Sequence, residues 1–273
     1  MINWLHSFAP SEIIFSIGFL QIRWYGLMLV CGMIIALFLS LKISKYYQIK
    51  KELIWDISFW LIINGLIGAR IYEVFLEWPY YLSQPINIFK IWEGGLAIHG
   101  GIIAGLITIW YFSKKEKIYF WKLSALFAPG LALAQAVGRF GNYFNQELFG
   151  RPTSLPWGIP IDPEKRPLGF ENYSFFHPTF LYESIGLIII FLALIIITIY
   201  IIKRQKIKQF SFILLSTLYM ILYSLLRFSL EFIKIDKTPS FFFLRWPQFI
   251  SLLFILFSFI LLIKNYHVIK KTN

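Results

Sequence analysis

The chain reads as an all-α polytopic membrane protein: seven transmembrane helices, N-terminus outside, C-terminus cytoplasmic, and a small extracytoplasmic head. Three observations carry that expectation. Apolar residues make up 58% of the 273 and charged ones only 15%, more apolar surface than a water-soluble domain of this size could hide. The apolar residues gather in seven segments near the roughly 20 residues that a spanning helix needs. The whole net charge of +12 falls in alternate loops.

In order, the segments are about Ile22–Leu41, Ile54–Phe75, Leu96–Phe112, Leu123–Phe144, Phe180–Ile202, Phe210–Phe232 and Trp246–Ile263. They are too long for strands and lack period-2 alternation. The second is the weakest, since it carries Asp56, Asn64 and Arg70. Ahead of the first, Phe15, Ile17, Phe19 and Gln21 alternate with smaller or branched residues, which fits a short surface strand or an interfacial piece. That stretch has no basic n-region and contains Pro10, unlike a cleaved signal. The outer loop Leu76–Gly95 holds Trp78, Tyr80, Tyr81 and Trp92, aromatics suited to headgroup level. The longest loop, residues 145–179, is rich in Pro and Gly. Trp157, Phe170, Tyr173, Phe175 and Phe176 give it something to pack, so an ordered head is expected as an insertion in one membrane-embedded catalytic domain, 1–273. No internal repeat is visible, which weighs against a transporter of two related halves.

Sorting the loops alternately puts Lys42, Lys45, Lys50, Lys51, Lys114, Lys115, Lys117, Lys122, Lys203, Arg204, Lys206, Lys208, Lys264, Lys270 and Lys271 on one side. Only Glu52, Asp56 and Glu116 oppose them there, while the other side balances at 11 basic and 11 acidic residues. Positive loops stay in the cytoplasm, which fixes the expected orientation. Topology and anionic lipid therefore explain the basic excess, and no nucleic-acid partner is implied. Cys31 is alone and inside the first segment, so no disulfide or cysteine metal site can form within the chain. The four His show no metal-binding spacing. No metal or cofactor is expected.

Polar groups recur at one depth. Tyr25 stands 17 residues from Lys42, Arg139 17 from Lys122, His99 15 from Lys114, Arg70 19 from Lys51 and Arg227 19 from Lys208. At about 1.5 Å per residue, all five lie roughly 22–29 Å above the inner boundary of a core about 30 Å thick. The charges also come in compensated sets: Arg139 with Glu147, Arg227 with Glu231 four residues on, and Arg70 with Glu73 and Glu77. Structural ion pairs within a bundle are one reading of these sets, and a binding site for an anion is the other. Gly94, Gly95, Gly100 and Gly101 bracket His99, which could serve as a polar contact within the bundle or as a reacting group. His177, before Pro178, is expected to cap a helix.

The run Gly138-Arg139-Phe140-Gly141-Asn142-Tyr143-Phe144-Asn145-Gln146-Glu147-Leu148-Phe149-Gly150 resembles the signature of bacterial prolipoprotein diacylglyceryl transferase. So do Gly94-Gly95-Leu96-Ala97-Ile98-His99-Gly100-Gly101, His177-Pro178-Thr179 with Tyr182-Glu183, and Tyr223 with Arg227-Phe228 and Glu231-Phe232. The resemblance runs in order from Arg23-Trp24-Tyr25-Gly26 to the last span. It implies a bacterial inner-membrane enzyme that moves the diacylglyceryl group of phosphatidylglycerol to the lipobox cysteine of a preprolipoprotein, releasing glycerol 1-phosphate. It carries functional roles onto Tyr25, His99, Arg139, Asn142, Glu147, Gly150, Tyr223, Arg227 and Glu231. Lys234 departs from the family pattern, where Arg is expected; it keeps the charge and loses the bidentate fork.

The chemistry suits those residues. Arg139 and Arg227 are expected to bind the lipid phosphate, since guanidinium matches phosphate oxygens bidentately. Negative charge grows on the departing oxygen, so a fixed cation there stabilises the transition state most. A thiol with an ordinary pKa of about 8.5 must lose its proton. His99 is the first candidate base, because histidine changes charge near neutrality; Glu147 or Glu231 is the second. Asn142 and Tyr25 would hold glycerol or phosphate oxygens, with Gly150 and Tyr223 completing the substrate-binding set. The rival readings are a transporter of an anionic solute, a membrane protease and an inert scaffold. The transporter lacks a polar route through the inner halves of the spans, and the protease lacks a metal triad or a Ser-His pair.

Overall fold

In the computed structural model, residues 6–18, 20–205, 207–236 and 238–272 are described. Phe19 of the alternating pattern lies outside them. Along the chain come β1 (Ile13–Ile17), β2 (Leu20–Arg23), α1 (Trp24–Tyr46), α2 (Lys51–Leu76), α3 (Trp78–Ser83), α4 (Ile98–Lys115) and α5 (Phe120–Asn145). Then follow β3 (Ile159–Pro160), β4 (Phe175–Phe176), α6 (Thr179–Lys203), α7 (Gln209–Leu230), β5 (Ser240–Phe241), β6 (Leu244–Arg245) and α8 (Trp246–Thr272). The chain divides into two compact units, Met1–Leu39 with Phe127–Asn273, and Ser40–Leu126.

Among the described residues, six helices are long and apolar enough to cross a membrane: α1, α2, α5, α6, α7 and, over Trp246–Tyr266, α8. Side chains such as Phe38, Phe59, Ile196 and Leu256 stand well exposed on them, as lipid-facing spans require. The seventh expected span, α4, has 18 residues; it opens on His99, Gly100 and Gly101 and closes on Lys114 and Lys115, which shortens its apolar stretch. The doubt over the second segment is misplaced. α2 runs unbroken for 26 residues because its polar groups find partners: Asn64 Nδ2 donates to Thr108 Oγ1 at 3.0 Å, and Arg70 is fully engaged.

Within Ser40–Leu126, α2 and α4 cross where neither has a side chain. A Cβ on Gly100 would stand 2.1 Å from the Gly68 carbonyl oxygen, and one on Gly68 2.5 Å from Ala104 Cβ. Backbones that approach this closely replace side-chain packing with direct van der Waals contact. Arg70 organises the loop between these helices. Its Nη1 donates to the carbonyls of Gly94 and Gly95, both at 2.7 Å, its Nε to Ile88 O at 2.9 Å, and its Nη2 to Asn87 O and Lys90 O. The expected pairing with Glu73 and Glu77 is therefore corrected: the guanidinium spends its donors on backbone carbonyls, which an irregular loop leaves open. Gly94 and Gly95 adopt φ of +97° and +71° to turn those carbonyls inward. Tyr81 is not an interfacial anchor either. It is buried, with the Arg70 guanidinium 5.1 Å over its ring, while Trp92 stands 74% exposed.

In the other unit, β1 and β2 form an antiparallel hairpin, with Ile17 opposite Leu20. α1 packs on α5 through small residues: added Cβ atoms at Gly32 and Gly130 would lie 2.8 Å and 3.0 Å from the carbonyls of Ala134 and Ala36. Trp24 stacks on Phe144 at 4.6 Å. The segment between α5 and α6 folds around a cluster of Tyr143, Phe149, Ile159, Ile161, Phe176 and Phe180, with β3 and β4 paired antiparallel. Gln146 pins it: Nε2 donates to Asp162 Oδ2 and Oε1 accepts from Asp162 N, both at 2.8 Å.

Candidate active site

Five singled-out groups sit within two turns of a helix end. Tyr25 and His99 follow the starts of α1 and α4, while Arg70, Arg139 and Arg227 precede the ends of α2, α5 and α7. The lysine-rich loops lie at the opposite ends of these helices.

Arg139 and Asn142 lie one turn apart on α5. Beyond the helix, Gln146 and Leu148 take φ of +52° and +55°, which turns the chain back on itself. Glu147 thereby returns to α5: Asn142 Nδ2 donates to its Oε1 at 2.7 Å, and Arg139 Nη1 donates to Asn142 Oδ1 at 3.2 Å. The expected direct pairing of Arg139 with Glu147 is corrected to one relayed by the Asn142 amide. The carboxylate that touches Arg139 is Glu183 of α6, its Oε1 2.8 Å from Arg139 Nη2. Glu183 Oε2 faces Lys234 Nζ at 3.5 Å.

A second set repeats this plan. Arg227 Nη2 lies 3.1 Å from Glu231 Oε2, as the four-residue spacing predicts, and Arg245 Nε lies 3.2 Å from Glu231 Oε1. Each carboxylate is buried, and each is shared by two cations. Glu183 Oε1 and both Glu231 oxygens have no aligned hydrogen bond despite these short approaches. Charge attraction in a low dielectric, more than directional bonding, holds them.

The two sets meet at Tyr223, which has Arg139, Arg227 and Glu183 as charged neighbours. Tyr219 stacks on Tyr223 at 6.0 Å and donates its hydroxyl to Gln135 Oε1 at 2.8 Å. Tyr25 has Glu147 and Arg139 as charged neighbours, and it packs against Gly141, where a Cβ would come within 2.6 Å of its ring. Gly150 works by its smallness. A Cβ there would meet Ile233, His177 and Thr179 at 2.7–3.0 Å, and its N–H donates to His177 O at 2.9 Å. Lys234 is buried beside these groups; burial, with Arg227 and Arg139 against it, pushes its pKa down, while Glu183 holds it up. A polar cavity of about 400 Å³ opens against Arg151, Glu231, Lys234, Asp236, Arg245 and Gln248.

His99 belongs to the Ser40–Leu126 unit. It is exposed, on the first turn of α4, with its ring 5.7 Å from Tyr72. His177 does not cap α6, whose N-cap residue is Pro178. Its Nδ1 instead meets the Tyr182 hydroxyl at 3.0 Å, and burial pushes its pKa down.

Sequence reasoning gave no role to Glu183 or Arg245 and read Lys234 only as a departure. Glu183 did carry a signal: a lone acid inside a 25-residue apolar helix needs a buried cation. Arg245 carried a weaker one, a basic residue just before a span and away from the lysine-rich side.

Two guanidiniums beside one tyrosine, each paired with a buried acid, are the kind of donor set that matches an oxyanion. The profile of prolipoprotein diacylglyceryl transferases matches residues 12–264, which takes in every residue of both sets. The chain belongs to the prolipoprotein diacylglyceryl transferase family. Relatives named phosphatidylglycerol–prolipoprotein diacylglyceryl transferase include one from Prochlorococcus marinus (strain MIT 9215), 43% identical over 242 residues, 84% of this chain and 80% of its own. One from Fervidobacterium nodosum is 43% identical over 245 residues, 89% of this chain and 81% of its own. One from Synechocystis is 40% identical over 230 residues, with 84% and 80% covered. The family is one of transferases in lipoprotein biosynthesis, and the six apolar helices make this member a multi-pass membrane protein.

Proposed function

We propose that the chain transfers the diacylglyceryl group of phosphatidylglycerol to the lipobox cysteine thiol of preprolipoproteins, releasing glycerol 1-phosphate as the first step of lipoprotein maturation. The observation that carries the reading is the pair of arginines, each held by a buried acid, Arg139 by Glu183 at 2.8 Å and Arg227 by Glu231 at 3.1 Å, with Tyr223 a neighbour of both. α4 is the seventh span, since 18 residues fall within the range of about 17–25 that can cross. The lysine distribution then puts the N-terminus outside and the C-terminus in the cytoplasm of a bacterial inner membrane, and the segment 145–179 forms the extracytoplasmic head.

The thiolate attacks the glyceryl carbon that bears the phosphate. A C–S bond forms as the C–O bond breaks, and the electron pair leaves with the phosphate oxygen. Arg139 and Arg227 hold the phosphate and stabilise the charge it gains. Tyr223 and Tyr25 offer hydroxyls to the lipid head. Glu147 orients Arg139 through Asn142, and Glu231 orients Arg227. His99 takes the thiol proton.

Purified protein incubated with phosphatidylglycerol and a lipobox peptide should add one diacylglyceryl group to the cysteine, read by mass. An unmodified cysteine overturns the reading. In the same assay His99→Asn should slow transfer and flatten its pH dependence near neutrality; a fully active His99→Asn moves the proton to Glu147.

A further inference from the structure

Arg245 meets the two ionic sets only at Glu231 and the Lys234 carbonyl among the described residues, and it is held through all three guanidinium nitrogens. It ends β6, opposite Ser240, one residue before α8. Its Nη1 donates to Glu231 O at 3.0 Å and Lys234 O at 2.8 Å, and its Nη2 to Asp236 O. Its Nε donates to Thr238 Oγ1 at 2.8 Å, and its backbone N–H to Gln248 Oε1 at 3.0 Å. These bonds fix the guanidinium against Glu231 Oε1 without help from the carboxylate.

We propose that Arg245 is a positioning residue that leaves Arg227 with uncompensated charge and free donors for the substrate phosphate, by holding one oxygen of Glu231 and denying Arg227 a bidentate partner. The inference rests on the reading of Arg227 as a phosphate ligand. A carboxylate alone with Arg227 at this i, i+4 spacing would take two parallel N–H···O bonds and cancel its charge. With Arg245 on Oε1, Glu231 presents only Oε2 to Arg227. One anion between two cations leaves a net charge of about one unit, and Arg227 retains donors for a ligand. Glu183 follows the same plan, shared between Arg139 and Lys234. The two sets together then match an anion that leaves with up to two negative charges.

R245Q and R245K in the full chain test this, with kcat and KM for phosphatidylglycerol measured on a lipobox peptide alongside thermal unfolding. R245Q should lower kcat by about tenfold or more, as loss of one charge-stabilising group does. R245K restores a point charge at Oε1 and gives up most of the carbonyl bonds; its kcat should return to within about threefold of wild type. Wild-type kcat in a folded R245Q overturns the proposal. So does R245K with an unchanged melting point and a kcat as low as that expected of R245Q, a result that decides even if R245Q does not fold. A wild-type protein that leaves the cysteine unmodified overturns the transfer reading itself, and that failure shows without any variant.

Discussion

Glu183 Oε1 lies 2.8 Å from Arg139 Nη2, with its side chain only 2% exposed. The guanidinium assigned to the lipid phosphate is thus held from behind by an acid on a different helix. Burying a carboxylate is strongly unfavourable unless cations compensate it, and Arg139 and Lys234 do so together.

Glu183→Gln leaves those two cations facing each other without a counter-charge. Breaking a buried pair in this way costs about 3–5 kcal/mol. Thermal unfolding in detergent should show a melting point well below wild type. An unchanged melting point would remove Glu183 from the structural account.

Gly100→Ala should be destabilising by about 1–3 kcal/mol, because its Cβ has only 2.1 Å to the Gly68 carbonyl. Gly65→Ala on the facing helix has nothing within 4 Å of its new Cβ. It should be neutral or slightly stabilising through the unfolded chain. Equal melting points for the two variants would contradict the close crossing of α2 and α4.

His177 supplies a pH dependence. Its folded pKa lies below the ordinary 6.5 because burial disfavours the charged ring. The unfolded chain therefore binds the proton more readily. This contribution to stability is complete above pH about 6.5 and is lost as pH falls through the folded value. Wild-type melting points should drop across that acid window, and His177→Gln should remove part of the drop. Identical slopes in the two proteins would rule the contribution out.

Six of the seven expected spans were legible because each apolar run is long and has lysine at one end; hydropathy needs no tertiary information. The Arg227–Glu231 pair was legible for the same reason, since i, i+4 neighbours share a helix face. Other partners were not. Arg139 was matched to Glu147, eight positions on, while the structure gives it Glu183, 44 positions on. Arg70 was matched to Glu73, while its donors go to loop carbonyls that residue type does not encode. Spacing along one helix orders local neighbours, but which helix faces which depends on packing at glycines such as Gly32, Gly130 and Gly186. Arg245 escaped notice because its role depends on the β5–β6 hairpin that turns it back toward Glu231.

The central claim is that two guanidiniums hold one lipid phosphate, and it is tested most directly by the stoichiometry of release. Wild type, Arg139→Gln and Arg227→Gln, each confirmed helical and inserted, are given phosphatidylglycerol and a lipobox peptide, and glycerol phosphate and lipidated cysteine are counted. Wild type should yield one glycerol phosphate per modified cysteine, and each variant should yield almost none of either. A variant that turns over like wild type with either guanidinium gone would contradict the account.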